Sequence, residues 1–152
     1  FASVIVSSDK DLLQLISHET EVKLLKQTGF IRYNYDTFKE DYKIEPIRII
    51  DLKALMGDSS DNIPGVPGVG EKTALKLLQE YGSLDNLYAN LDKITGKVKE
   101  KLEMGKESAY MSKDIATIYR DVPLDITLED LKLDLSDDTK IKEMYQELEF
   151  FS

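Results

Sequence analysis

The feature that most restricts the fold is a glycine- and proline-rich string that runs directly into a helical pattern, Asn62-Ile-Pro-Gly-Val-Pro-Gly-Val-Gly-Glu-Lys-Thr-Ala-Leu-Lys-Leu-Leu78. The three glycines predict a tight turn, because glycine accepts positive φ and lets another backbone come very close. The apolar spacing that follows predicts a helix over Glu71–Tyr81, which ends at Gly82. Val66 and Val69 are expected to anchor the turn in the core. The string therefore predicts two helices joined by a buried hairpin.

The start of the predicted helix is suited to hold a phosphate. Its first backbone N–H groups have no partner within the helix and carry the positive end of the helix dipole. The string resembles a helix–hairpin–helix, a module that binds one DNA backbone without reading bases; the alternative is a connector that binds nothing. The resemblance also implies a monovalent cation such as K⁺ on loop carbonyls near Val66 and Val69. The candidate DNA-binding residues are Gly65, Val66, Gly68, Val69, Gly70, Lys72 and Thr73.

The pattern along the chain predicts an α/β fold giving way to a mostly α fold. Strands are predicted over residues 1–7, 21–25 and 30–35, with the last two forming a hairpin, and Asp9 is predicted to cap a helix after the first strand. After residue 57 the pattern is helical, and Asp137 or Asp138 is predicted to cap the last helix. Three regions follow: an α/β core over 1–57, a metal loop with the hairpin over 58–122, and an acidic segment over 123–152 expected to pack back on the core.

Four carboxylates in two loops are candidate metal ligands. Asp9 and Asp11 follow the end of the first predicted strand, and Asp58 and Asp61 lie just before the glycine hairpin. Sites in open α/β sheets collect at strand ends. Carboxylates suit a hard cation such as Mg²⁺ or Mn²⁺. Alone, the first pair is more typical of a helix cap and the second of a turn, so the prediction depends on the neighbouring hairpin.

Three segments together resemble one nuclease family over essentially the whole chain: Ser7-Ser-Asp-Lys-Asp-Leu-Leu-Gln-Leu15, Leu55 to Ala74, and Tyr81-Gly-Ser-Leu84. The family is the 5′-nuclease (5′-3′ exonuclease) domain of bacterial DNA polymerase I, in the flap-endonuclease superfamily. The resemblance implies the partial sheet of a PIN-like fold, followed by a helix–hairpin–helix of the H3TH type.

The resemblance also implies a site with two metal ions. It matches Asp9 to a carboxylate shared by both ions, and Asp11, Asp58 and Asp61 to ligands of the second ion. Family members carry the ligands of the first ion, and a helical arch, on segments that precede the position of Phe1. The chain is therefore expected to be the C-terminal half of the nuclease domain, with the N-terminal half and the polymerase domains as its partners. A free-standing 5′-3′ exonuclease is the nearby alternative.

For the parent enzyme, the resemblance implies metal-dependent hydrolysis of phosphodiesters in DNA or RNA primers, near a 5′ flap or a 5′ end, in replication and repair. The chain alone is expected to bind DNA without cleaving it. A non-catalytic helix–hairpin–helix module is the alternative, and a protein-interaction domain is a third reading.

Composition limits the other possibilities. The chain has no cysteine and one histidine, which excludes disulfide scaffolds, thiolate zinc sites and cysteine nucleophiles. The net charge is −9, and residues 121–152 contribute −7 of it with ten acidic residues and three lysines. This balance argues against wide nonspecific binding of nucleic acid but permits a local contact. The chain has neither a signal peptide nor a membrane span in its pattern, so a bacterial cytoplasmic, nucleoid-associated location is expected.

Overall fold

The computed structural model describes residues 2–133 and 138–150. Three short strands form one sheet in the order β1-β2-β3, with β1 over Ser3–Ser7, β2 over Thr20–Lys26 and β3 over Gly29–Tyr33. The first pair is parallel and the second is antiparallel, with Ser3 opposite Thr20 and Val22 opposite Tyr33. The predicted hairpin of the last two strands is therefore present.

Between β1 and β2 the chain forms a 3-10 helix over Lys10–Leu15, where the apolar pattern predicts a helix. The Asp9 carboxylate caps it by accepting a hydrogen bond from the Asp11 N–H, as predicted. The helix is short because Ile16 already has extended backbone angles.

Seven α-helices follow the sheet within the described residues. They are α1 over Tyr35–Tyr42, α2 over Ile49–Met56, α3 over Glu71–Tyr81, α4 over Leu84–Ala89, α5 over Lys97–Met104, α6 over Lys106–Ala116 and α7 over Asp138–Glu147. A further 3-10 turn over Pro46–Arg48 precedes α2, and another over Leu91–Lys93 follows α4. Helix α3 has the bounds that the sequence predicts, because Gly70 and Gly82 flank it. The last helix is predicted to be capped by Asp137 or Asp138. Both side chains lie outside the part of the chain that the structure describes.

Helix α2 is the central element of the fold up to Ile118. All of its residues from Ile49 to Leu55 are buried, and it packs against α3 and α6. One core cluster runs from the sheet through α2 to the helices around the hairpin, and it includes Val22, Leu55 and Leu78. Helix α2 ends just before the loop over residues 58–63, which contains Asp58 and Asp61 and is called the carboxylate loop below. The burial of α2 gives that loop a rigid base.

Two charged side chains lie inside this buried helix. The Asp51 carboxylate, 2% exposed, contacts Arg48 at 3.0 Å and the Lys113 ammonium of α6 at 3.3 Å. Lys113 also contacts Asp85 of α4 at 2.8 Å. The second charged residue, Lys53, belongs to the candidate site.

The chain divides into two compact units, one up to Ile118 and one from Tyr119. In the second unit Thr127 and Asp130 form a hydrogen-bonded turn, and the rings of Tyr145 and Phe150 lie 6.1 Å apart. That the acidic segment packs back on the core stays a prediction. Every helix in 2–133 and 138–150 is too short or too polar to cross a bilayer.

Candidate functional site

The loop after α2 is a closed turn that presents two carboxylates. Asp58 and Ile63 exchange two backbone hydrogen bonds of 2.9 Å, which close the loop at its base. Within the loop, the Asp58 carboxylate accepts hydrogen bonds from the Ser60 N–H at 2.9 Å and the Ser60 hydroxyl at 2.5 Å. These local bonds orient one carboxylate oxygen toward the loop and leave the other directed at α2.

Three carboxylates from two separate segments meet at this loop. Asp11, Asp58 and Asp61 each offer an oxygen atom, and these atoms lie within 4.8 Å of one another. Asp11 and Asp58 are half-buried, while Asp61 is exposed. Three of the four predicted ligands are thus brought together, and metal binding by them stays a prediction.

The fourth predicted ligand, Asp9, lies outside this group of three. Its Oδ1 accepts the Asp11 N–H at 2.8 Å and caps the 3-10 helix. Asp9 still lines the cavity of about 680 Å³ that Asp58 and Asp61 also line. The cap occupies one carboxylate oxygen of Asp9, and its role as a metal ligand stays a prediction.

A buried lysine bridges the three carboxylates. The Lys53 ammonium contacts the Asp11 carboxylate, lies 2.8 Å from Asp58 Oδ2 and 3.5 Å from Asp61 Oδ2, and its side chain is 7% exposed. The hydrogen bond from Lys53, helped by those from Ser60, lowers the pKa of Asp58 to about 2. Asp58 therefore keeps its charge to a lower pH than an ordinary aspartate.

The glycine hairpin is locked to the end of α2. Gly65 has a φ of +63°, and a Cβ added there would lie 2.2 Å from the Gly57 nitrogen. The Val66 N–H donates to the Leu55 carbonyl at 2.8 Å. Val66 is 2% exposed, which confirms its predicted place in the core. Gly57, just before the carboxylate loop, and Gly65, in the hairpin, therefore lie in direct backbone contact, with no room for a side chain between them. This contact is called the backbone crossing below.

Two serines of α6 hold the same crossing. The Ser112 hydroxyl accepts the Gly65 N–H at 3.0 Å, and the Ser108 hydroxyl donates to the Gly65 carbonyl at 2.6 Å. Ser112 is fully buried. Since the two serines are one helical turn apart, α6 satisfies both backbone groups of this strained glycine.

The candidate DNA-binding residues divide into a buried and an exposed set. Gly65, Val66 and Val69 are buried and shape the hairpin from within, so their side chains do not reach solvent. The exposed or half-exposed set, which surrounds the start of α3, comprises Gly68, Gly70, Lys72 and Thr73. Gly70 is the N-cap of α3 and offers no side chain, so the first-turn amides of that helix receive no N-cap hydrogen bond from it.

A lysine already occupies one carbonyl of the hairpin. The Lys101 ammonium of α5 donates to the Gly68 carbonyl at 2.8 Å. The Val66 carbonyl, a predicted ligand of K⁺, accepts the Val69 N–H at 3.0 Å. A positive charge at this hairpin is therefore supplied by the chain itself.

Sequence reasoning missed four residues of this site: Lys53, Lys101, Ser108 and Ser112. For Lys53 a signal exists, since it interrupts the apolar run Ile49-Ile-Asp-Leu-Lys-Ala-Leu-Met56. A charge inside a fully buried helix requires a partner. The serines and Lys101 lie in ordinary helical patterns, and only the tertiary contacts identify them.

Comparison with known proteins identifies relatives of this chain. DNA polymerase I of Caldicellulosiruptor bescii is 46% identical over 154 residues, which cover 98% of this chain and 18% of that protein. DNA polymerase I of Bacillus subtilis is 47% identical over 135 residues, covering 87% of this chain and 15% of that protein. The chain thus spans less than a fifth of the curated relatives that it matches.

Among solved structures, T5 5′-exonuclease with bound divalent metal ions (zinc) superposes with a TM-score of 0.63 at 24% identity, over 76% of this chain and 42% of that one. A complex of the bacteriophage T5 flap endonuclease with DNA and metal ions gives 0.64 at 23% identity, over the same shares. This likeness concerns the fold, and the predicted fold class is confirmed by it.

The family model described as 5′-3′ exonuclease, C-terminal SAM fold, matches residues 44–139. That range holds the carboxylate loop and the whole hairpin, and it confirms the resemblance drawn from the sequence. This chain belongs to the 5′-3′ exonuclease family.

Proposed function

We propose that this chain is part of a structure-specific, metal-dependent 5′-3′ exonuclease or flap endonuclease that hydrolyses phosphodiesters of DNA or RNA primers. The observation that carries the proposal is the backbone crossing of Gly57 and Gly65, which holds the carboxylate loop beside the glycine hairpin. Glu71, in the first turn of α3, lines the same cavity as Asp58 and Asp61. A DNA backbone bound at the hairpin would therefore run close to the carboxylates.

The chemistry of the donor set fits Mg²⁺ or Mn²⁺. Three carboxylate oxygens within 4.8 Å of one another are hard ligands on a site that is open to water at Asp61. Asp11, Asp58 and Asp61 would hold the ion, which supplies a Lewis acid for the scissile phosphate. The carboxylates themselves bind and orient, and the lowered pKa of Asp58 extends the pH range of its charged form toward acid.

The hairpin contributes position rather than chemistry. The amides at the start of α3, together with Lys72 and Thr73, would bind one phosphate of the backbone. Such contacts set the register of the duplex without reading its sequence. K⁺ at the hairpin is proposed as a weak requirement, because Lys101 already donates to the Gly68 carbonyl.

We expect the chain alone to bind DNA without cleaving it. Within residues 2–133 and 138–150, one group of three carboxylates is positioned to hold a metal ion. A two-ion mechanism needs ligands for a second ion about 4 Å away. The N-terminal half of the nuclease domain would supply them, and polymerase domains would follow in a parent of the polymerase I type, in the bacterial cytoplasm.

The second candidate is a helix–hairpin–helix module that binds DNA and takes no part in catalysis. It is favoured by the Lys53 ammonium, which already contacts all three carboxylates without a metal. In a module of this kind, removal of the carboxylates would leave DNA binding at the hairpin unchanged.

A single gel experiment tests the proposal. The chain is incubated with end-labelled 5′-flap DNA in Mg²⁺ or Mn²⁺ with K⁺, and each sample is divided between a native and a denaturing gel. A shifted band without cleavage is the expected result. Cleavage near the flap junction would show that one set of carboxylates suffices, and the absence of any shift would contradict DNA binding by the hairpin.

The same DNA separates the two candidates when the chain is joined to the remainder of the nuclease domain. Asp58→Ala should abolish cleavage there and leave the native shift intact. Under the second candidate this substitution changes neither the shift nor the products.

A further inference from the structure

Asp11, Asp58 and Asp61, called the three-carboxylate group below, already contact a cation of the chain itself. That cation is the ammonium of Lys53. Lys53 lies in a helix that is buried from Ile49 to Leu55, and its side chain is 7% exposed. It reaches the Asp11 carboxylate directly, Asp58 at 2.8 Å and Asp61 at 3.5 Å. No other cation within the described ranges forms an ion pair with these three groups.

The charge balance shows what this contact does. Three carboxylates bring a charge of −3 into a half-buried site, and the ammonium reduces it to −2. An ammonium is a compact point charge with three N–H donors, and here it is directed at three acceptors. The oxygens that it contacts belong to the same residues that would ligate a divalent ion, so the two cations draw on one set of ligands.

We propose that Lys53 is a built-in competitor of the divalent ion at the three-carboxylate group, and that it sets how tightly the group binds metal. The inference rests on the proposed function, because it concerns the same metal site. Entry of a divalent ion requires the ammonium to withdraw from at least one carboxylate, and this cost lowers the affinity for metal. In exchange, the ion pairs with Lys53 hold the carboxylate loop against α2 when no metal is bound.

The contrasting possibility is an ion pair that only stabilises the fold. In that case Lys53 would affect unfolding but would leave metal affinity unchanged. The two possibilities differ in the dissociation constant for metal after the positive charge is removed. It falls if Lys53 competes with the metal, and it stays the same if the ion pair only stabilises the fold.

The test measures Mn²⁺ binding by isothermal titration calorimetry, with no DNA and no activity assay. Lys53→Met keeps much of the aliphatic stem and removes the charge, and Lys53→Arg keeps the charge. The expected result for Lys53→Met is a dissociation constant about tenfold lower than that of the unsubstituted chain, a size typical of changes beside metal ligands. Lys53→Arg should stay close to the unsubstituted chain.

Lys113→Met is the matched control, since Lys113 also joins two carboxylates, Asp51 and Asp85, and neither belongs to the metal group. It should leave the Mn²⁺ dissociation constant unchanged. Equal affinity in the unsubstituted chain and Lys53→Met would overturn the inference and leave the metal site standing. No Mn²⁺ binding in any variant would overturn the metal site and the inference together.

A second measurement covers the case in which Lys53→Met fails to fold. In the unsubstituted chain, the ¹H–¹³C signal of the Lys53 ε-methylene should move when diamagnetic Mg²⁺ saturates the site. The ε-methylene signal of Lys113 serves as the internal reference and should stay in place. A Lys53 signal that remains fixed while Mg²⁺ binds would refute displacement of the ammonium.

Discussion

Gly65→Ala is the substitution that tests the backbone crossing most sharply. The added Cβ would lie 2.2 Å from the Gly57 nitrogen and 2.7 Å from the Met56 carbonyl carbon, so it meets backbone atoms that cannot rotate away. The residue also has a φ of +63°, which costs an L-residue roughly 1–2 kcal/mol. Overpacking against a rigid neighbour adds about 1–3 kcal/mol. We therefore expect the free energy of unfolding to fall by about 2–5 kcal/mol.

The assay is urea unfolding followed by far-ultraviolet circular dichroism, in EDTA so that metal binding does not contribute. Gly70→Ala is the matched control, because Gly70 has a φ of −95° and its added Cβ meets nothing within 4 Å. We expect its stability to change by less than about 1 kcal/mol in either direction. If Gly65→Ala and Gly70→Ala unfold at the same urea concentration, the tight crossing does not exist as described.

Three further predictions concern the residues around this crossing. Ser112→Ala should lower the unfolding free energy by about 1–3 kcal/mol, because the buried Gly65 N–H loses its acceptor. The control Ser59→Ala, at an exposed position, should leave the unfolding free energy unchanged. Equal urea midpoints for the two variants would refute this prediction. The pKa of Asp58 is lowered from 3.8 to about 2, so its contribution is present above pH 4 and is lost as the pH falls through 2. Asp58→Asn should therefore reduce unfolding free energy by about 2 kcal/mol at pH 6 and hardly at all near pH 2, and a loss independent of pH would contradict the assigned cause. Lys101→Met frees the Gly68 carbonyl, so DNA affinity should become higher in K⁺ than in Na⁺; a variant indifferent to the choice of salt would argue against a cation at this carbonyl.

The sequence predicts the helical part of this fold well because glycines mark its boundaries. Helix α3 ends at Gly82, and α5 lies over Lys97–Met104 between Gly96 and Gly105. Local signals of this kind act within one turn of helix, so they can be recognised in a single sequence. The 3-10 form of Lys10–Leu15 has no such signal and is not predicted.

The sequence predicts the carboxylates of the candidate site but not the side-chain contacts among its residues. Asp9 and Asp11 form a pattern that suits both a helix cap and a metal ligand. The fold shows that Asp9 caps the 3-10 helix and that Asp11 lies in the group of three, while metal binding by either stays a prediction. The Lys53 ammonium reaches Asp11 across 42 positions of sequence. Such a pairing depends on how α2 packs against the first loop, which no local pattern encodes.

The most direct test of the account measures DNA binding by fluorescence anisotropy, with a labelled 5′-flap duplex in EDTA. The contributions of the hairpin and of the carboxylates to DNA affinity should be distinguishable under these conditions, since Gly68 lies at the exposed turn and Asp58 in the carboxylate loop. The account predicts that the chain binds, that Gly68→Val weakens binding, and that Asp58→Ala leaves the affinity equal or tighter because it removes a negative charge near phosphate. Equal affinity for Gly68→Val and the unsubstituted chain, or a clear loss with Asp58→Ala, would contradict the central claim that the hairpin binds DNA and the carboxylates serve the metal.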